Sequence, residues 1–230
     1  MPRLIAFDLD GTLVDSAPDL AWAIDAMLAR QGLPPAGEAR VRGWIGHGMA
    51  MLVRRALTGE LWPKGNPPHF NEAVAAFMVL YADNLCRHSR LYAGVGAGLE
   101  RLAAEGYRLA CITNKPEKFT RPLLQYLGIA DRFEFVAGGD TFSRQKPDPL
   151  PLLECAAHFG VAPADSLMVG DSASDAKAAR SAGFRLVLVS YGYLGDDSME
   201  SLAPDAVIHA LTELPDWLSK AGSAHARLDG

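Results

Sequence analysis

The stretch that decides the fold is Phe7-Asp8-Leu9-Asp10-Gly11-Thr12-Leu13-Val14-Asp15-Ser16. Its beginning overlaps an apolar run, Leu4 to Phe7, which is typical of a buried strand. Side chains alternate along a strand, so Asp8 and Asp10 start on the same side, and Gly11 then permits a sharp turn. Two carboxylates this close repel each other, and a bound divalent cation would offset the repulsion. A lone Asp-x-Asp pair is equally compatible with a polar strand end followed by a turn.

Length and composition are those of an ordinary globular protein. The chain has 230 residues, 49% of them hydrophobic and 21% charged, which allows one large domain or two small ones. Its formal net charge of -5 gives no reason to expect nucleic-acid binding. Cys86, Cys111 and Cys155 are scattered, which indicates a reducing compartment and no zinc site. Because no signal peptide and no membrane-spanning apolar run is visible, we expect a cytoplasmic protein without a membrane partner. We also expect a monomer or a homodimer.

The pattern becomes helical after this first strand. Ser16 stands three residues before Asp19 at the start of an apolar helical pattern, a capping-box-like pair that predicts a helix. Further helical periodicity follows over residues 38–45, 49–57 and 70–85. No convincing strand interrupts these segments. The sequence therefore predicts a helical insert over residues 16-90, between two parts of a core unit, residues 1-15 and 91-230.

Strands and helices alternate after residue 91. Predicted strands cover residues 107–112, 133–137, 166–169, 185–189 and 206–208. Predicted helices cover residues 95–105, 117–127, 150–159, 173–182 and 211–218. This alternation predicts an α/β fold in which helices cover both faces of a parallel sheet. We expect the last residues, 219–230, to be loosely ordered.

Polar residues follow several of the predicted strands. They are Asp8 and Asp10, then Thr113 and Asn114, then Lys146 in a loop, and finally Asp171 with Asp175 one helical turn later. The carboxyl ends of parallel strands meet at one edge of an open α/β sheet, where ligands bind. Oxygen ligands of this kind suit Mg²⁺, whereas an ammonium and turn amides suit a phosphate. Taken singly, each residue could be a helix cap or a solvated surface charge, and only their coincidence at four strand ends favours a site.

Several of these segments resemble the four motifs of the haloacid dehalogenase superfamily. They are Asp8-Leu9-Asp10-Gly11-Thr12, Thr113, Lys146-Pro147 and Gly170-Asp171-Ser172-x-x-Asp175. The resemblance implies a Rossmann-like sheet with the first strand at its centre and a helical, class-one cap inserted after the first motif. An aspartate two positions after Asp8 resembles the phosphatase branch rather than the dehalogenases.

A closer resemblance is to bacterial phosphoglycolate phosphatases. It is carried by Trp44-Ile45-Gly46-x-Gly48, Thr113-Asn114-Lys115-Pro116 and Tyr191-Gly192-Tyr193, although sister phosphatases share much of these segments. The implied activity is Mg²⁺-dependent hydrolysis of 2-phosphoglycolate, a small phosphorylated metabolite. The alternatives are a phosphatase of another small phosphometabolite, such as N-acetylmuramic acid 6-phosphate, a β-phosphoglucomutase-like enzyme, and a non-catalytic phosphate-binding protein.

The superfamily resemblance also implies a role for each motif residue. Asp8 would be the nucleophile that forms an aspartyl-phosphate, and the Asp10 side chain would be the general acid and base. Mg²⁺ would be bound by Asp8, Asp171 and the backbone carbonyl of Asp10, and Asp175 would support the metal site indirectly. The phosphoryl group would be bound by Thr113 and Lys146, with Gly11, Thr12 and Asn114 assisting.

Specificity is expected to come from the helical insert. The carboxylate of 2-phosphoglycolate needs a cationic or amide partner, and the insert offers Arg40, Arg42, Arg54 and Arg55 together with the Gly46-His47-Gly48 loop. We select Arg55 and His47 as the substrate-binding candidates, although a solvated helix face explains any one of these arginines equally well. A phosphonatase would need a lysine in the insert for a Schiff base, and the insert contains only Lys64, in a loop.

Overall fold

The computed structural model describes residues 3–195 and 197–225. The strands are β1 (Leu4–Phe7), β2 (Val14–Asp15), β3 (Arg90–Leu91), β4 (Arg108–Ile112), β5 (Phe135–Ala137), β6 (Ser166–Gly170), β7 (Arg185–Val189) and β8 (Ala206–Ile208). The α-helices are α1 (Ala17–Arg30), α2 (Glu38–Arg42), α3 (Met49–Thr58), α4 (Phe70–Asp83), α5 (Val95–Ala104), α6 (Glu117–Tyr126), α7 (Leu150–Phe159), α8 (Ala173–Ala182), α9 (Met199–Leu202) and α10 (Leu214–His225).

Strand β1 lies inside a parallel sheet. Within the described ranges the sheet has six strands in the order β5-β4-β1-β6-β7-β8. Phe7 of β1 pairs with Cys111 on one side and with Val169 on the other. Because the strands are parallel, the residues that follow them emerge together at one edge of the sheet. The predicted α/β fold, with the first strand in the interior of the sheet, is confirmed.

Both faces of β1 are buried. Ile5 and Phe7 point into one hydrophobic cluster, whereas Leu4 and Ala6 belong to a second cluster on the opposite face. Every residue of β1 is 0% exposed, which explains why this strand appears in the sequence as a continuous apolar run. A rigid, fully enclosed strand therefore ends directly at Asp8.

Helices α1 to α4, here called the helical segment (residues 17–83), pack around their own hydrophobic cluster. Val53, Phe77 and Tyr81 are completely buried in it. Phe119 and Tyr193, which lie outside the segment, join the same cluster. The helical segment therefore lies against the rest of the protein on the side that carries the strand ends.

The antiparallel pair β2–β3 joins the two ends of the helical segment, with Asp15 opposite Arg90. It coincides with the limits of the predicted division into residues 1-15, 16-90 and 91-230. Two-residue strands are too short to produce a periodic pattern, so the sequence does not reveal this pair. The division into separate domains stays a prediction.

The expected capping box at Ser16 is wrong. The Ser16 hydroxyl makes no cap hydrogen bond to α1 and instead donates to the Asp10 carboxylate at 2.5 Å. Asp19 accepts hydrogen bonds from the backbone N–H groups of His88 and Ser89 and from the Ser89 hydroxyl. Ser16 and Asp19 form these charge-assisted hydrogen bonds instead of the capping box, because such bonds are stronger than those between neutral groups.

The C-terminal region also differs from expectation. Helix α10 extends to His225, because Leu214 and Leu218 anchor its beginning in the core and the helix propagates from there. Residues 219–225 continue the helix beyond its predicted end at residue 218, and residues 226–230 lie outside the described residues. The expected loose order of this segment stays a prediction. Among the described helices, none combines the length and the apolar composition needed to span a bilayer.

Candidate active site

Carboxylates gather at the sheet edge where β1 and β6 end. Asp8 follows β1, Asp171 follows β6, and Asp175 lies in the first turn of α8. One carboxylate oxygen from each lies within 4.8 Å of the others. All three side chains are buried, with Asp175 0% and Asp171 1% exposed. The parallel register of β1 and β6 thus brings together residues that are far apart in the sequence.

The Lys146 ammonium lies between two of these carboxylates. Its Nζ is 3.0 Å from Asp8 and 2.6 Å from Asp175. Although burial lowers the pKa of Lys146, the charges of Asp175 and Asp8 raise it above its ordinary value, so the side chain is a cation. The sequence alternative of a solvated loop lysine is excluded, because the Lys146 side chain is 1% exposed.

A single ammonium does not neutralise three buried carboxylates. Burial raises the pKa of Asp8 to about 7 against the opposing effect of Lys146, and the Asp175 charge raises it further. Burial, followed by the charges of Asp175 and Asp8, also holds the pKa of Asp171 well above its usual range. The excess negative charge and the all-oxygen donor set fit a hard divalent cation such as Mg²⁺.

Surrounding groups fix Asp171 and Asp175 in place. Asp171 accepts hydrogen bonds from the Thr12 hydroxyl and the Tyr193 backbone N–H, each at 2.6 Å. Asp175 accepts from the Ser172 hydroxyl at 2.7 Å and closes a capping box at the start of α8. Asp175 is therefore both a helix cap and a partner of Lys146, so the two interpretations of this residue hold together.

Gly11 and Thr12 approach Asp171 from the first motif. Gly11 has φ of 90°, a conformation that favours glycine, and an added Cβ would clash with Asp171 and Tyr193. The Thr12 side chain is committed to Asp171, so a substrate contact of Thr12 would have to come from its backbone.

Asp10 lies beside a different cation, Lys115. The Lys115 Nζ is 2.9 Å and 3.0 Å from the two Asp10 carboxylate oxygens, and its side chain is 0% exposed. The ammonium also lies 4.8 Å from the ring centre of Tyr81 in helix α4. Although burial lowers the pKa of Lys115, Asp10 and Tyr81 raise it, so Lys115 is charged.

Lys115 is the site residue to which the sequence analysis assigned no role. It stands in Thr113-Asn114-Lys115-Pro116, a segment used for the resemblance. A lysine just after a strand end and before a proline looks like a solvated loop charge, and only the position of the helical segment buries it. The available signal was its place two residues after Thr113, at the same sheet edge as Asp8 and Asp10.

A cavity of about 30 Å³, here called the Asp8 cavity, connects these groups. Its described lining consists of Asp8, Asp10, Thr113, Asn114 and Lys115 on one side and Leu20, Ile45, Gly46, Gly48, Met49 and Leu52 of the helical segment on the other. The Asp8 cavity is narrow compared with an open groove of about 410 Å³ elsewhere on the surface, between α4 and α6. The helical segment thus closes over the strand ends and leaves room for only a small ligand.

Thr113 and Asn114 line the Asp8 cavity in different ways. The Thr113 oxygen accepts the Lys115 backbone N–H at 3.3 Å, which leaves the hydroxyl proton available to a ligand. The Asn114 amide nitrogen donates to the carbonyls of Gly46 and Lys146, so it ties the loop of the helical segment to the core. The Asn114 Oδ1 is buried with no hydrogen-bond partner in the described part of the chain.

The substrate contact predicted for Arg55 is not supported, because Arg55 does not line the Asp8 cavity. Its guanidinium donates to the carbonyls of Leu61 at 2.8 Å and Trp44 at 2.6 Å and lies over the Trp62 ring. The residue is 1% exposed and lines a second cavity of about 110 Å³, here called the Arg55 cavity. The face of α3 that carries Arg55 points inward, where backbone carbonyls compete for its donors.

His47 also lines the Arg55 cavity, where its ring meets Trp62 edge-on. Burial, followed by the charges of Arg55 and Lys177, lowers the pKa of His47, which favours a neutral imidazole. Its neighbours Gly46 and Gly48 line the Asp8 cavity. The loop therefore reaches the site through its backbone, and the His47 side chain lies elsewhere.

Asp15 connects the helical segment to the rest of the protein. It accepts from Arg42 of α2 at 2.8 Å and from the Tyr193 hydroxyl at 2.7 Å. Burial alone would raise the pKa of Asp15, but the hydrogen bonds from Arg42 and Tyr193 outweigh it and lower the pKa. Asp15 is thus a junction residue, in line with the expectation that it is not a reactant.

Comparison with known proteins assigns the fold to a family. A model of the haloacid dehalogenase-like hydrolases matches residues 5–189. The chain belongs to this family. It is 48% identical over 220 residues to a phosphoglycolate phosphatase of Nitrosococcus oceani, covering 96% of this chain and 98% of that one. It is also 43% identical to a phosphoglycolate phosphatase of Thiobacillus denitrificans, covering 95% and 96% of the two chains.

A solved haloacid dehalogenase-like structure shows the same architecture. The crystal structure of a predicted phosphoglycolate phosphatase from Haemophilus somnus superposes with a TM-score of 0.87 at 38% identity, covering 94% of this chain and 98% of that one. The resemblance drawn from the four motifs is confirmed. The protein is an enzyme, a phosphatase of the haloacid dehalogenase-like family.

Proposed function

We propose that the protein hydrolyses 2-phosphoglycolate to glycolate and inorganic phosphate. The observation that carries this proposal is the Asp8 cavity, in which two carboxylates, Asp8 and Asp10, face the same small space. Asp8 stands beside Asp171 and Asp175, with which it could hold a metal ion, and Asp10 has its own ammonium partner, Lys115. Relatives that match nearly the whole of this chain carry the name phosphoglycolate phosphatase, which supports this substrate. A small phosphorylated metabolite as partner, a cytoplasmic location and a monomeric or homodimeric state complete the proposal.

Asp8 is the proposed nucleophile. Its carboxylate oxygen bonds to phosphorus while the bond from phosphorus to the ester oxygen breaks, which leaves an aspartyl-phosphate. Lys146 favours the ionised, nucleophilic form of Asp8 at a distance of 3.0 Å. Lys146 and the Thr113 hydroxyl hold the phosphoryl oxygens, and the backbone amides around Gly11 assist.

Asp10 is the proposed general acid and base. Its carboxyl gives a proton to the departing ester oxygen, so that glycolate leaves as a neutral alcohol at that position. It then takes a proton from the water that attacks phosphorus, which releases phosphate and regenerates Asp8. Lys115 and the Ser16 hydroxyl fix the orientation of Asp10 through both reactions.

Mg²⁺ is the proposed cofactor. Asp8, Asp171 and the backbone carbonyl of Asp10 would hold it, with Asp175 acting through Lys146 and Ser172. When bound, Mg²⁺ reduces the repulsion between an anionic nucleophile and an anionic phosphate. The buried and incompletely neutralised carboxylates described above support this assignment.

The apolar wall of the Asp8 cavity favours a small substrate over a phosphosugar. Leu20, Ile45, Met49 and Leu52 offer no hydrogen-bonding side chain to sugar hydroxyls. A buried hydroxyl without a partner costs about 1 to 3 kcal/mol, and a sugar would bring several. Glycolate adds only one methylene and one carboxylate beyond the reacting phosphate.

The test is phosphate release with Mg²⁺ and with EDTA over a panel of phosphate esters. The panel contains 2-phosphoglycolate, N-acetylmuramic acid 6-phosphate, other sugar phosphates, β-glucose 1-phosphate and p-nitrophenyl phosphate. We expect kcat/KM for 2-phosphoglycolate to exceed that of the rest by at least about tenfold, or about 1.4 kcal/mol. A flat profile or a preferred sugar phosphate would assign the same chemistry to another substrate. An absence of metal-dependent release from every ester would contradict the proposed reaction.

A further inference from the structure

Lys115 is the cationic side chain in the described lining of the Asp8 cavity. The other lining residues are acidic, apolar, glycine, threonine or asparagine. Lys146, the second buried lysine near Asp8, is enclosed by Asp8 and Asp175 and is not part of that lining. Within the described lining of the Asp8 cavity, Lys115 is therefore the only positively charged side chain that a negatively charged leaving group could contact.

Four arginines of the helical segment, Arg40, Arg42, Arg54 and Arg55, have partners outside the Asp8 cavity. Arg42 forms ion pairs with Asp15 at 2.8 Å and Glu38 at 2.7 Å, and Arg54 donates to the side chain of Asn66. Arg40 lies over the Trp44 ring, and Arg55 donates to backbone carbonyls. None of these arginines lines the Asp8 cavity within the described part of the chain.

The distance between Lys115 and Asp10 decides which substrate group Lys115 can reach. In the proposed reaction, Asp10 contacts the ester oxygen that leaves phosphorus. The Lys115 Nζ is 2.9 Å and 3.0 Å from the two Asp10 oxygens. In 2-phosphoglycolate, the carboxylate and the ester oxygen are attached to the same methylene carbon. A carboxylate at that carbon therefore lies within reach of Lys115 while Asp10 contacts the ester oxygen.

Lys115 has the capacity and the rigidity for this contact. An ammonium has three N–H donors, and the pairing with Asp10 occupies at most two of them. The Tyr81 ring covers the ammonium from the helical segment at 4.8 Å, and the lysine side chain is fully buried. An ammonium held from two sides cannot move toward a carboxylate that lies in a different position. It therefore favours substrates whose carboxylate lies at one particular place.

We propose that Lys115 binds the substrate carboxylate and makes the enzyme specific for phosphate esters with a carboxylate on the ester-bearing carbon. This inference rests on the proposed function and names the residue that selects its substrate. It replaces Arg55 and His47 in that role. Lys115 thus serves two partners, since it orients Asp10 and also binds the leaving group.

The first test compares two substrates that differ only in the carboxylate. They are 2-phosphoglycolate and 2-hydroxyethyl phosphate, and the variants are Lys115→Gln and, as a matched control, Lys118→Gln. Lys118 is an exposed lysine on the next helix. We expect Lys115→Gln to slow both reactions through Asp10, with an additional loss of at least about tenfold in kcat/KM for 2-phosphoglycolate, mainly through KM. Lys118→Gln should match the wild type. Equal losses for the two substrates would overturn the carboxylate contact.

The second test needs no variant and stands even if Lys115→Gln fails to fold. It moves the carboxylate away from the ester oxygen by one and two methylene groups, using the phosphate esters of 3-hydroxypropanoate and 4-hydroxybutanoate with the wild-type enzyme. We expect kcat/KM to fall at least about tenfold at the first step, because Lys115 is held beside Asp10. Similar values along the series would overturn the inference.

The two proposals fail in distinguishable ways. If the wild type does not favour 2-phosphoglycolate over the ester panel, the proposed function fails and this inference with it. If the wild type favours 2-phosphoglycolate but shows equal losses in Lys115→Gln, or no dependence on carboxylate position, only the inference fails. Melting temperatures of both variants establish that the comparison is made on folded protein.

Discussion

At the scale of single residues, two lysines divide the acidic groups of the site between them. Lys146 lies against Asp8 and Asp175, whereas Lys115 lies against Asp10. Asp8 and Asp10, the two carboxylates with proposed catalytic roles, therefore each have their own cation, and the cations are held by different parts of the chain. The pairing predicts separable effects, because removing one carboxylate leaves the other pair intact.

Asp8→Asn is expected to lower turnover by at least about a thousandfold without unfolding the protein. An amide of the same shape cannot attack phosphorus, whereas Lys146 retains Asp175 as a partner and the carboxylate cluster loses one like charge. The measurement is Mg²⁺-dependent phosphate release from 2-phosphoglycolate, together with the melting temperature. Asp131→Asn, at an exposed aspartate, is the control. Near-normal turnover in Asp8→Asn would remove Asp8 from the role of nucleophile.

At the scale of elements, the strands with long apolar sequences were predictable, whereas the two-residue strands and the end of the last helix were not. Strands β1, β4, β6 and β7 are identifiable because burial on both faces makes their sequences apolar. Strands β2 and β3 have two residues each, so no periodicity can reveal them. Helix α10 continues past the core residue Leu218 to His225, and the apolar pattern of the sequence did not predict this extension.

The site was predictable where chemistry and strand order coincide. Asp8, Asp171 and Asp175 meet because parallel strands end at one edge, which sequence alone anticipates. Arg55 and Lys115 depend instead on how the helical segment lies against the core. The same packing turns the Arg55 guanidinium toward carbonyls and buries the Lys115 ammonium beside Asp10. Contacts between distant elements leave no local trace in the sequence. The sequence therefore did not predict that Arg55 lies outside the Asp8 cavity or that Lys115 lies inside it.

Two glycines of helix α5 offer a matched test of element packing. An added Cβ on Gly98 would lie 3.0 Å from the backbone of Leu211, whereas one on Gly96 would meet nothing within 4 Å. Gly98→Ala is therefore expected to lower the free energy of unfolding by about 1 to 3 kcal/mol. Gly96→Ala should raise it by up to about 1 kcal/mol through helix propensity. Urea unfolding measures both, and a stabilising Gly98→Ala would contradict the close approach of α5 to residue 211.

At the scale of the whole molecule, the acidic cluster connects metal binding to stability. The pKa of the Asp8 carboxyl is 3.8 in an unfolded chain and about 7 in the folded chain. Between these values the folded state binds more protons, so the metal-free protein loses stability as pH rises, and above about pH 7 the whole loss is present. A cation at the cluster favours the ionised form and offsets this loss.

We therefore expect Mg²⁺ to raise the melting temperature more at about pH 8 than at about pH 5. Thermal unfolding in MgCl₂ and in EDTA at the two pH values measures the difference, and comparison within each pH cancels the titration of groups outside the site. Asp8→Asn serves as the control, because it removes one of the two carboxyl groups whose pKa is raised, and it should reduce the difference between the two pH values. A Mg²⁺ effect that is equal at both pH values, or larger at the lower one, would contradict the role of ionised Asp8 in holding the metal.

The interior position of β1 also dictates the order in which the protein can assemble during synthesis. β1 is translated first, yet one neighbour begins at Arg108 and the other at Ser166. The helical segment, whose cluster comes mostly from its own residues, can collapse early. By contrast, β1 cannot be paired on both sides until the chain has been synthesised through β6. Until then the emerging polypeptide exposes an unpaired, wholly apolar strand edge, which is a target for chaperones and a hazard for aggregation. The segment that carries Asp8, the proposed nucleophile, is thus made before the strands that enclose it.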